Sequence, residues 1–157
     1  ADKGEVEYAH VRIPAPDASS YAVHKSMQGN KRKDTKPELM VRQRLREAGL
    51  GGYRLQWKVP GHPDVAWPGK KVALFIHGCY WHRCPHCNLS LPKKNTEYWV
   101  AKFNRNQERD AQNEAALIAD GWKVHVVWEC ELKKGKREET FAKLLPVLAH
   151  ELGKELR

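Results

Sequence analysis

The sequence predicts one α/β domain, in which helices flank a central mixed β-sheet. Two observations lead to this fold class. The chain has 157 residues, 41% of them hydrophobic, which is enough for one domain with a real core and leaves few residues for a second. Segments with the apolar period of a helix alternate with short strand-like segments, in the order helix, three strands, helix, strand, helix.

Composition and net charge indicate the kind of partner and the cellular environment of the protein. The formal charge of +9 favours a polyanionic partner, usually nucleic acid, over a merely solvated basic surface. No N-terminal apolar stretch resembles a signal peptide, and the longest apolar run, Val72–Ile76, is too short to span a membrane. We therefore expect an intracellular protein with no membrane partner and with reduced thiols. Its four cysteines are then better candidates for metal ligands than for disulfides.

The N-terminal segment differs in character from the remainder. Residues 1–23 contain Pro14 and Pro16 and lack periodicity, so we expect a flexible arm followed by one domain over 24–157. The basic stretch 25–36 fits either a solvated tail or an arm that contacts DNA, and its charge does not decide between them.

The first helix begins in the segment "TKPE". Thr35 can act as N-cap, Pro37 fits the first turn, and Glu38 completes a capping box. Gly49 helps to end the helix. Its apolar side is formed by Leu39, Val41, Leu45 and Ala48.

Three strands should follow. Residues 53–59 alternate apolar with polar side chains, which predicts a half-buried strand. The turn-forming residues 60–64 end it. The apolar segments 64–67 and 71–76 flank Pro68-Gly69, which predicts a hairpin whose second strand is interior to the sheet.

The C-terminal half should contain a helix, a strand and a helix. Thr96 can cap a helix that runs to about Asp120, and Gly121 should stop it. Residues 122–128 read as a strand and Glu138–Leu152 as an amphipathic helix. The inward side of the helix that begins at Thr96 carries six residues at intervals of three and four: Trp99, Phe103, Asn106, Asp110, Asn113 and Leu117.

The cysteine spacing predicts a zinc site. Three thiols lie within nine residues, at Cys79, Cys84 and Cys87. Cys130 follows a predicted strand and can supply the fourth corner of a tetrahedral site. Scattered buried thiols are the alternative, which this clustering disfavours. His82 and His86 are rival ligands.

Two carboxylates and two histidines suggest phosphodiester chemistry. Asp64 precedes a strand that can aim its carboxylate at the end of the next one, and Asp110 lies on the inward side of a helix, where it needs a partner such as an imidazole. His77 and His82 remain beside the cysteines. If each carboxylate is considered alone, the simpler interpretation is that Asp64 caps a turn and that Asp110 makes a structural hydrogen bond. Together these residues predict a phosphodiesterase: one carboxylate holds Mg²⁺, a histidine takes a proton from water, and the second carboxylate orients that histidine.

The Pro-Asp dipeptide before a strand is similar to the metal-binding pattern of restriction-like nucleases. That pattern would also place an acidic-x-Lys triplet on the following strand. Here the strand ends in Phe75-Ile76-His77, so the match is incomplete.

Four segments of the sequence belong together in one more specific pattern: "KRKDTKPELMVRQRL", "VPGHPDVAWPGKKVALFIHGCYWHRC", "NTEYWVAKFNRNQERD" and "GWKVHVVWECEL". In this order they resemble the very-short-patch repair (Vsr) endonucleases, which nick DNA at thymine–guanine mismatches left by deamination of 5-methylcytosine. The resemblance covers about residues 25–133. It implies a restriction-endonuclease-like domain that uses catalytic Mg²⁺ and structural Zn²⁺ on mismatched double-stranded DNA.

The resemblance implies roles for a first set of residues around magnesium. Asp64 matches the family's Mg²⁺-binding aspartate, and the backbone carbonyl of Ile76 matches a second contact. Many relatives have threonine at the latter position, but a carbonyl contact survives the change to isoleucine. Glu38 matches an acidic residue that helps to order water at the metal.

The resemblance also implies the residues that act on the phosphate. His82 matches the general base and Asp110 the carboxylate that orients it. His77 matches a histidine at the scissile phosphate.

A third set is implied to enter the DNA. Tyr80, Trp81 and Trp99 match aromatic residues that wedge into the base stack beside the mismatch, and Met27 matches a residue inserted from the opposite groove by the arm. Core packing is the alternative for Trp99. Tyr80 stands where phenylalanine is common.

Some features depart from the family or stay open. Relatives can use a histidine as a zinc ligand, so His86 is a candidate to replace Cys84 or Cys87. The resemblance implies a cytoplasmic monomer, associated with the nucleoid of a prokaryote, with a repair protein or a DNA-cytosine methylase as further partner. A restriction-type endonuclease without mismatch requirement and a non-catalytic zinc DNA-binding module are the alternative functions.

Overall fold

The computed structural model describes residues 34–157 of the chain. The predicted arm at residues 1–23, most of the basic stretch and Met27 lie outside the described residues. In the part that is described, no helix is both long and apolar enough to cross a membrane.

A four-stranded mixed sheet forms the centre of the domain, as predicted. The strands lie in the order β1-β2-β3-β4. The pairs β1–β2 and β2–β3 are antiparallel, whereas β3 and β4 are parallel. The strands are β1 (Arg54–Leu55), β2 (Val65–Trp67), β3 (Val72–His77) and β4 (Lys123–Trp128).

Helices occur where the sequence predicts them, with one addition. The order helix, three strands, helix, strand, helix is confirmed, and a single helical turn, α2, follows β3. The helices are α1 (Lys36–Glu47), α2 (Cys79–His82), α3 (Thr96–Ala119) and α4 (Arg137–Leu152). Turns of 3₁₀-helix occupy Pro68–Lys70 in the β2–β3 hairpin and Glu129–Leu132 after β4.

The start of α1 has the predicted capping box. The Glu38 N–H donates to Thr35 Oγ1, and the Thr35 N–H donates to Glu38 Oε2 over 3.0 Å. Two amide groups that the helix leaves unpaired are thereby satisfied. The Thr35 N–H and hydroxyl both donate to Glu38 Oε2, so the box also fixes the position of the Glu38 carboxylate.

Both faces of the sheet are covered, because strand side chains alternate between them. On one face, Val65, Val72 and Leu74 pack against α1 and α4. On the other face, Ala66 and Ala73 pack with Leu117 of α3 and with Trp122. Small residues on the second face let the long helix α3 approach the sheet closely.

The strand predicted over residues 53–59 is wrong beyond Leu55. Gln56 adopts φ of +48°, in the left-handed region, which turns the chain out of the extended conformation. The Trp57 carbonyl then accepts the Val59 N–H over 2.8 Å in a tight turn. Trp57 and Val59 still pack against the second face, so their apolar character reflects burial from a loop.

The helix boundaries need two small corrections. Asn95, with φ of +56°, is the N-cap of α3 in place of Thr96, whose hydroxyl donates to the Pro92 carbonyl over 2.8 Å. Helix α4 begins at Arg137, one residue earlier than predicted. The predicted inward side of α3 is confirmed: Phe103 and Leu117 are buried, and its polar members are partly buried.

Candidate active site and metal centre

A cleft of about 1140 Å³ opens at the carboxyl end of β3. It is bounded by the start of α1, the turn between β1 and β2, α2 and α3. The cleft brings together every described residue with a predicted catalytic or magnesium-binding role, namely Glu38, Asp64, Ile76, His77, His82 and Asp110.

Asp64 immediately precedes β2 and reaches across to β3. The Ile76 N–H donates to Asp64 Oδ2 over 2.7 Å, and Gln56 Nε2 donates to Asp64 Oδ1 over 3.2 Å. Val65, the first residue of β2, pairs with Leu74 in the antiparallel ladder, so Ile76 lies beyond the start of β2, on the side where Asp64 precedes the strand. Because the N–H and C=O of one strand residue point to the same side, the Ile76 carbonyl also faces the side of Asp64.

A second carboxylate, Glu38, lines the cleft beside Asp64. Glu38 is only 2% exposed, and its Oε1 is buried without a hydrogen-bond partner among the described residues, with Arg42 Nη2 at 3.5 Å. Burial raises the pKa of Asp64 to about 7 against the opposing Ile76 hydrogen bond, and nearby Glu38 adds to the rise. A hard divalent cation with oxygen ligands, such as Mg²⁺, fits this pair because it would offset the cost of two neighbouring negative charges, one buried and one partly buried.

His82 and Asp110 meet across the cleft. His82 Nδ1 lies 2.5 Å from Asp110 Oδ2, and both side chains are partly exposed. This bond satisfies a carboxylate on the inward side of α3. It also fixes the ring, leaving Nε2 as the atom with which His82 can accept a proton.

His77 stacks on His82. The two imidazole rings are nearly parallel, with centroids 4.0 Å apart. Burial and the neighbouring His82 lower the pKa of His77 to about 4 against the opposing effect of Asp110, so this ring is neutral near pH 7. His77, His82 and Asp110 each offer one possible ligand atom, and these three atoms lie within 4.8 Å of one another. This spacing is close enough for the three side chains to hold a metal ion as well.

The four cysteines form a separate group, with sulfur atoms within 4.8 Å of one another: Cys79, Cys84, Cys87 and Cys130. The sheet register explains how Cys130 reaches the others. His77 pairs with Trp128 in the parallel β3–β4 ladder, and Cys79 and Cys130 each lie two residues further along. The long gap in sequence is therefore a short step across two neighbouring strands.

The environment of these thiols suits a tetrahedral zinc ion. Burial raises the pKa of Cys130 to about 11, and it also raises that of Cys79. Burial opposes ionisation of Cys84 as well, but hydrogen bonds, the first from the His86 N–H, lower its pKa overall. The Cys130 N–H donates to Cys79 Sγ over 3.2 Å. A cation is what allows such a buried set to lose its protons.

The rival ligands lie outside this group of four sulfurs. His86 is exposed and directs its backbone N–H to Cys84 Sγ over 3.3 Å. His82 is bonded to Asp110 instead. The four-cysteine ligand set is thus the arrangement that the geometry favours, and it stays a prediction.

The single turn α2 directs its side chains to three different places. Successive residues of a helix point about 100° apart, so four consecutive side chains can serve different sites. Cys79 joins the cysteine group, Tyr80 and Trp81 turn towards α3, and His82 enters the cleft. Arg83, with φ of +53°, ends the turn.

Tyr80, Trp81, Trp99 and Phe103 form an aromatic cluster. Phe103 is 2% exposed and underlies the others, with its ring centroid 5.3 Å from that of Tyr80 and 6.0 Å from that of Trp99. Tyr80 is 36% exposed, and Trp81 and Trp99 are partly exposed. The cluster is separate from the two main core groups of the described residues, but Trp99 packs on the buried Phe103, so core packing stays an alternative role for Trp99.

Three residues contact the site although the sequence predicts no role for them there. Gln56 contacts Asp64, Arg42 is a buried guanidinium beside Glu38, and Phe103 supports the aromatic cluster. Phe103 was recognised only as an apolar position. The sequence contains no signal for the first two, because Gln56 occupies a polar position of an apparent strand and Arg42 lies among many surface arginines and lysines.

Comparison with known proteins identifies the family. The family profile described as DNA mismatch endonuclease Vsr matches residues 20–89. The type II nicking enzyme V.XorIIP of Xanthomonas oryzae is 45% identical over 108 residues, which are 68% of this chain and 78% of the relative. The DNA mismatch endonuclease Vsr of Escherichia coli is 37% identical over 111 residues, 69% of this chain and 70% of that protein. The chain belongs to the Vsr DNA mismatch endonuclease family.

Proposed function

We propose that this protein is a Mg²⁺-dependent endonuclease that nicks one strand of duplex DNA next to a T:G mismatch and so initiates very-short-patch repair. Support comes from the names of its relatives, which include a type II nicking enzyme and a DNA mismatch endonuclease. The observation that carries the catalytic part is the shared cleft, with the buried Glu38 and the partly buried Asp64 on one side and a histidine–aspartate pair on the other.

Asp64, the Ile76 carbonyl and Glu38 are the groups that would hold Mg²⁺. The cation, when bound, would neutralise charge on a phosphate oxygen and on the departing group. Asp64 is held by two hydrogen-bond donors, so its carboxylate is fixed in direction before the ion arrives. Glu38 is fixed by the capping box of α1 and faces the same space.

His82 acts as general base in this proposal. Its Nδ1 is bonded to Asp110, so Nε2 is the atom that takes a proton from the attacking water. Asp110 holds the ring in one orientation. His77, neutral and stacked on His82, restricts the ring on one face, and in this proposal it contacts the scissile phosphate.

The aromatic cluster supplies a means of selecting a mismatch. Tyr80 and Trp81 lie beside the cleft, so rings inserted into the base stack would contact DNA close to the cleaved bond. Intercalation costs a few kcal/mol of lost stacking, and this cost is lowest where a base pair is already weak. A T:G pair is such a place. The Met27 insertion and DNA contacts by the basic stretch 25–36 belong to the same proposal.

Two alternatives are weaker. The first is a restriction-type endonuclease without mismatch requirement, whose only support is that several relatives are named type II nicking enzymes. A non-catalytic zinc DNA-binding module is disfavoured because Asp64, His82 and Asp110 converge on one cleft.

The test uses duplexes of one sequence that differ at a single base pair. Purified protein and Mg²⁺ are incubated with T:G and matched C:G duplexes, each labelled on either strand, and products are resolved on a denaturing gel. We expect cleavage of one strand of the T:G duplex alone. Equal nicking of both duplexes would establish the restriction-type alternative, and no nicking of either would establish the non-catalytic one.

A further inference from the structure

Gln56 adopts an unfavourable backbone conformation at the edge of the cleft. Its φ is +48°, a region that residues with a Cβ seldom occupy. The neighbouring residues have strand-like composition, and β1 ends at Leu55 immediately before it. Such conformations persist mainly where a structure needs them, frequently at functional sites.

The conformation has a clear structural consequence. It directs the Gln56 side chain into the cleft, where Nε2 donates to Asp64 Oδ1 over 3.2 Å. The Ile76 N–H holds the other oxygen over 2.7 Å. One donor on each oxygen fixes both the position and the plane of the Asp64 carboxylate. An extended residue at position 56 would continue β1 along the sheet edge instead.

We propose that Gln56 is a positioning residue for the metal-binding carboxylate of Asp64, and that its left-handed backbone is retained for that purpose. The inference rests on the proposed function, because it assigns Asp64 to the metal. Outer groups that orient a metal ligand typically contribute about 10- to 100-fold in metal affinity or activity. Gln56 would act through Asp64 without contacting the substrate.

Two substitutions separate the donor from the backbone conformation. Gln56→Met keeps a side chain of similar length and the strained backbone but removes the donor. Gln56→Gly removes the donor and also relieves the strain, because glycine occupies positive φ readily. We expect Gln56→Gly to unfold at a higher temperature than Gln56→Met. Both should nevertheless bind Mn²⁺ about 10-fold or more weakly than the wild type and nick correspondingly more slowly at subsaturating metal.

A matched control comes from Lys71, which has φ of +52° in the β2–β3 turn and lies outside the lining of the cleft. Lys71→Gly makes the same type of backbone change, and we expect it to leave Mn²⁺ affinity and nicking unchanged. Asp64→Asn serves as the reference for loss of the ion. The experiment comprises Mn²⁺ titration by calorimetry on the zinc-loaded proteins, thermal unfolding, and nicking rates against metal concentration.

The outcomes are distinguishable. Parallel losses in Gln56→Met and Gln56→Gly, despite different thermal stabilities, support the inference. Wild-type Mn²⁺ affinity in both variants, or losses that follow thermal stability instead of the donor, would overturn it while leaving the proposed function intact. Failure of the wild type to bind Mn²⁺ at an Asp64-dependent site would instead overturn the assignment of Asp64 itself, and the Gln56 inference with it.

Discussion

His82 Nδ1 and Asp110 Oδ2 lie 2.5 Å apart, joining the single turn α2 to the middle of the long helix α3. The contact couples a residue of the loop that carries the cysteines to a carboxylate on the inward side of α3. Loop rigidity and helix packing therefore both determine where the imidazole sits. A shift in either element would move the ring that is proposed to take a proton from water.

The first prediction concerns this pair as a unit. His82→Ala should reduce the single-turnover nicking rate by about 10²- to 10⁴-fold, the usual contribution of positioned proton transfer. Asp110→Asn should lose somewhat less, because the ring remains but is poorly oriented. The double variant should be scarcely slower than His82→Ala, since residues that act together are not additive.

Zinc content is the control for that series. If His82→Ala loses zinc along with its rate, His82 is a zinc ligand and the assignment as base is wrong. Additive losses in the double variant would also contradict it, because they would mean that the two side chains act separately.

The second prediction concerns the zinc ion that we propose for the four cysteines. Elemental analysis of the purified protein should give one zinc per chain. Cys130→Ser should lose both the metal and the folded state, because Cys130 links the end of β4 to the loop after β3 and a structural zinc contributes directly to folding. A folded, zinc-free wild type would refute the assignment.

His86→Ala is the matched control for zinc binding. His86 is exposed and contributes a backbone N–H to Cys84, and alanine retains that N–H. We expect full zinc content and wild-type thermal stability. Loss of zinc in this variant would show that His86 replaces one of the cysteines as a ligand.

The third prediction concerns the aromatic wedge. Changing Tyr80 and Trp81 together to alanine should weaken nicking and binding of T:G duplexes more than binding of matched duplexes, because only the mismatch lowers the cost of intercalation. Folding should change little, since Tyr80 is 36% exposed and Trp81 is partly exposed. Gel-shift affinities for the two duplexes and a thermal melt provide the comparison.

Two results would oppose the wedge. An equal loss of affinity on both duplexes would indicate a general contact with DNA. Unfolding of the double variant would indicate that the rings serve core packing.

The fourth prediction concerns the capping box that holds Glu38. Thr35→Ala removes the Thr35 hydroxyl, which accepts the Glu38 N–H and donates to Glu38 Oε2. Loss of such a cap costs about 1 kcal/mol of unfolding free energy. Thr35→Ser keeps the hydroxyl and should cost much less. Urea unfolding measures the free energy of unfolding of both variants. Equal destabilisation by the two substitutions would mean that the hydroxyl is not the stabilising group.

The parts of the fold that could be predicted are those with a local cause. The capping box of α1 and the inward side of α3 follow from side-chain chemistry and helical period. The β2–β3 hairpin follows from Pro68-Gly69 between apolar segments. The strand predicted over residues 53–59 was too long because its alternation reflects burial of Trp57 and Val59 from a loop, while Gln56 turns the backbone for a contact with Asp64.

The site was predictable where a residue type is costly to bury without a partner. Asp110 on an apolar helix face indicated an imidazole partner, and clustered cysteines indicated a metal. Contacts that depend on strand register were not visible in the same way. The approach of Cys130 to Cys79 follows from the pairing of His77 with Trp128, and the sequence does not state that pairing.

The most direct test of the account is the single-turnover nicking rate of Asp64→Asn on a T:G duplex with Mg²⁺, alongside its affinity for the same duplex. Asparagine keeps the size of the side chain but removes the charge that anchors a hard cation. We predict wild-type DNA affinity with no detectable nicking. Asp120→Asn, the same change at an exposed residue outside the cleft lining, should nick at the wild-type rate. Robust nicking by Asp64→Asn would contradict the account.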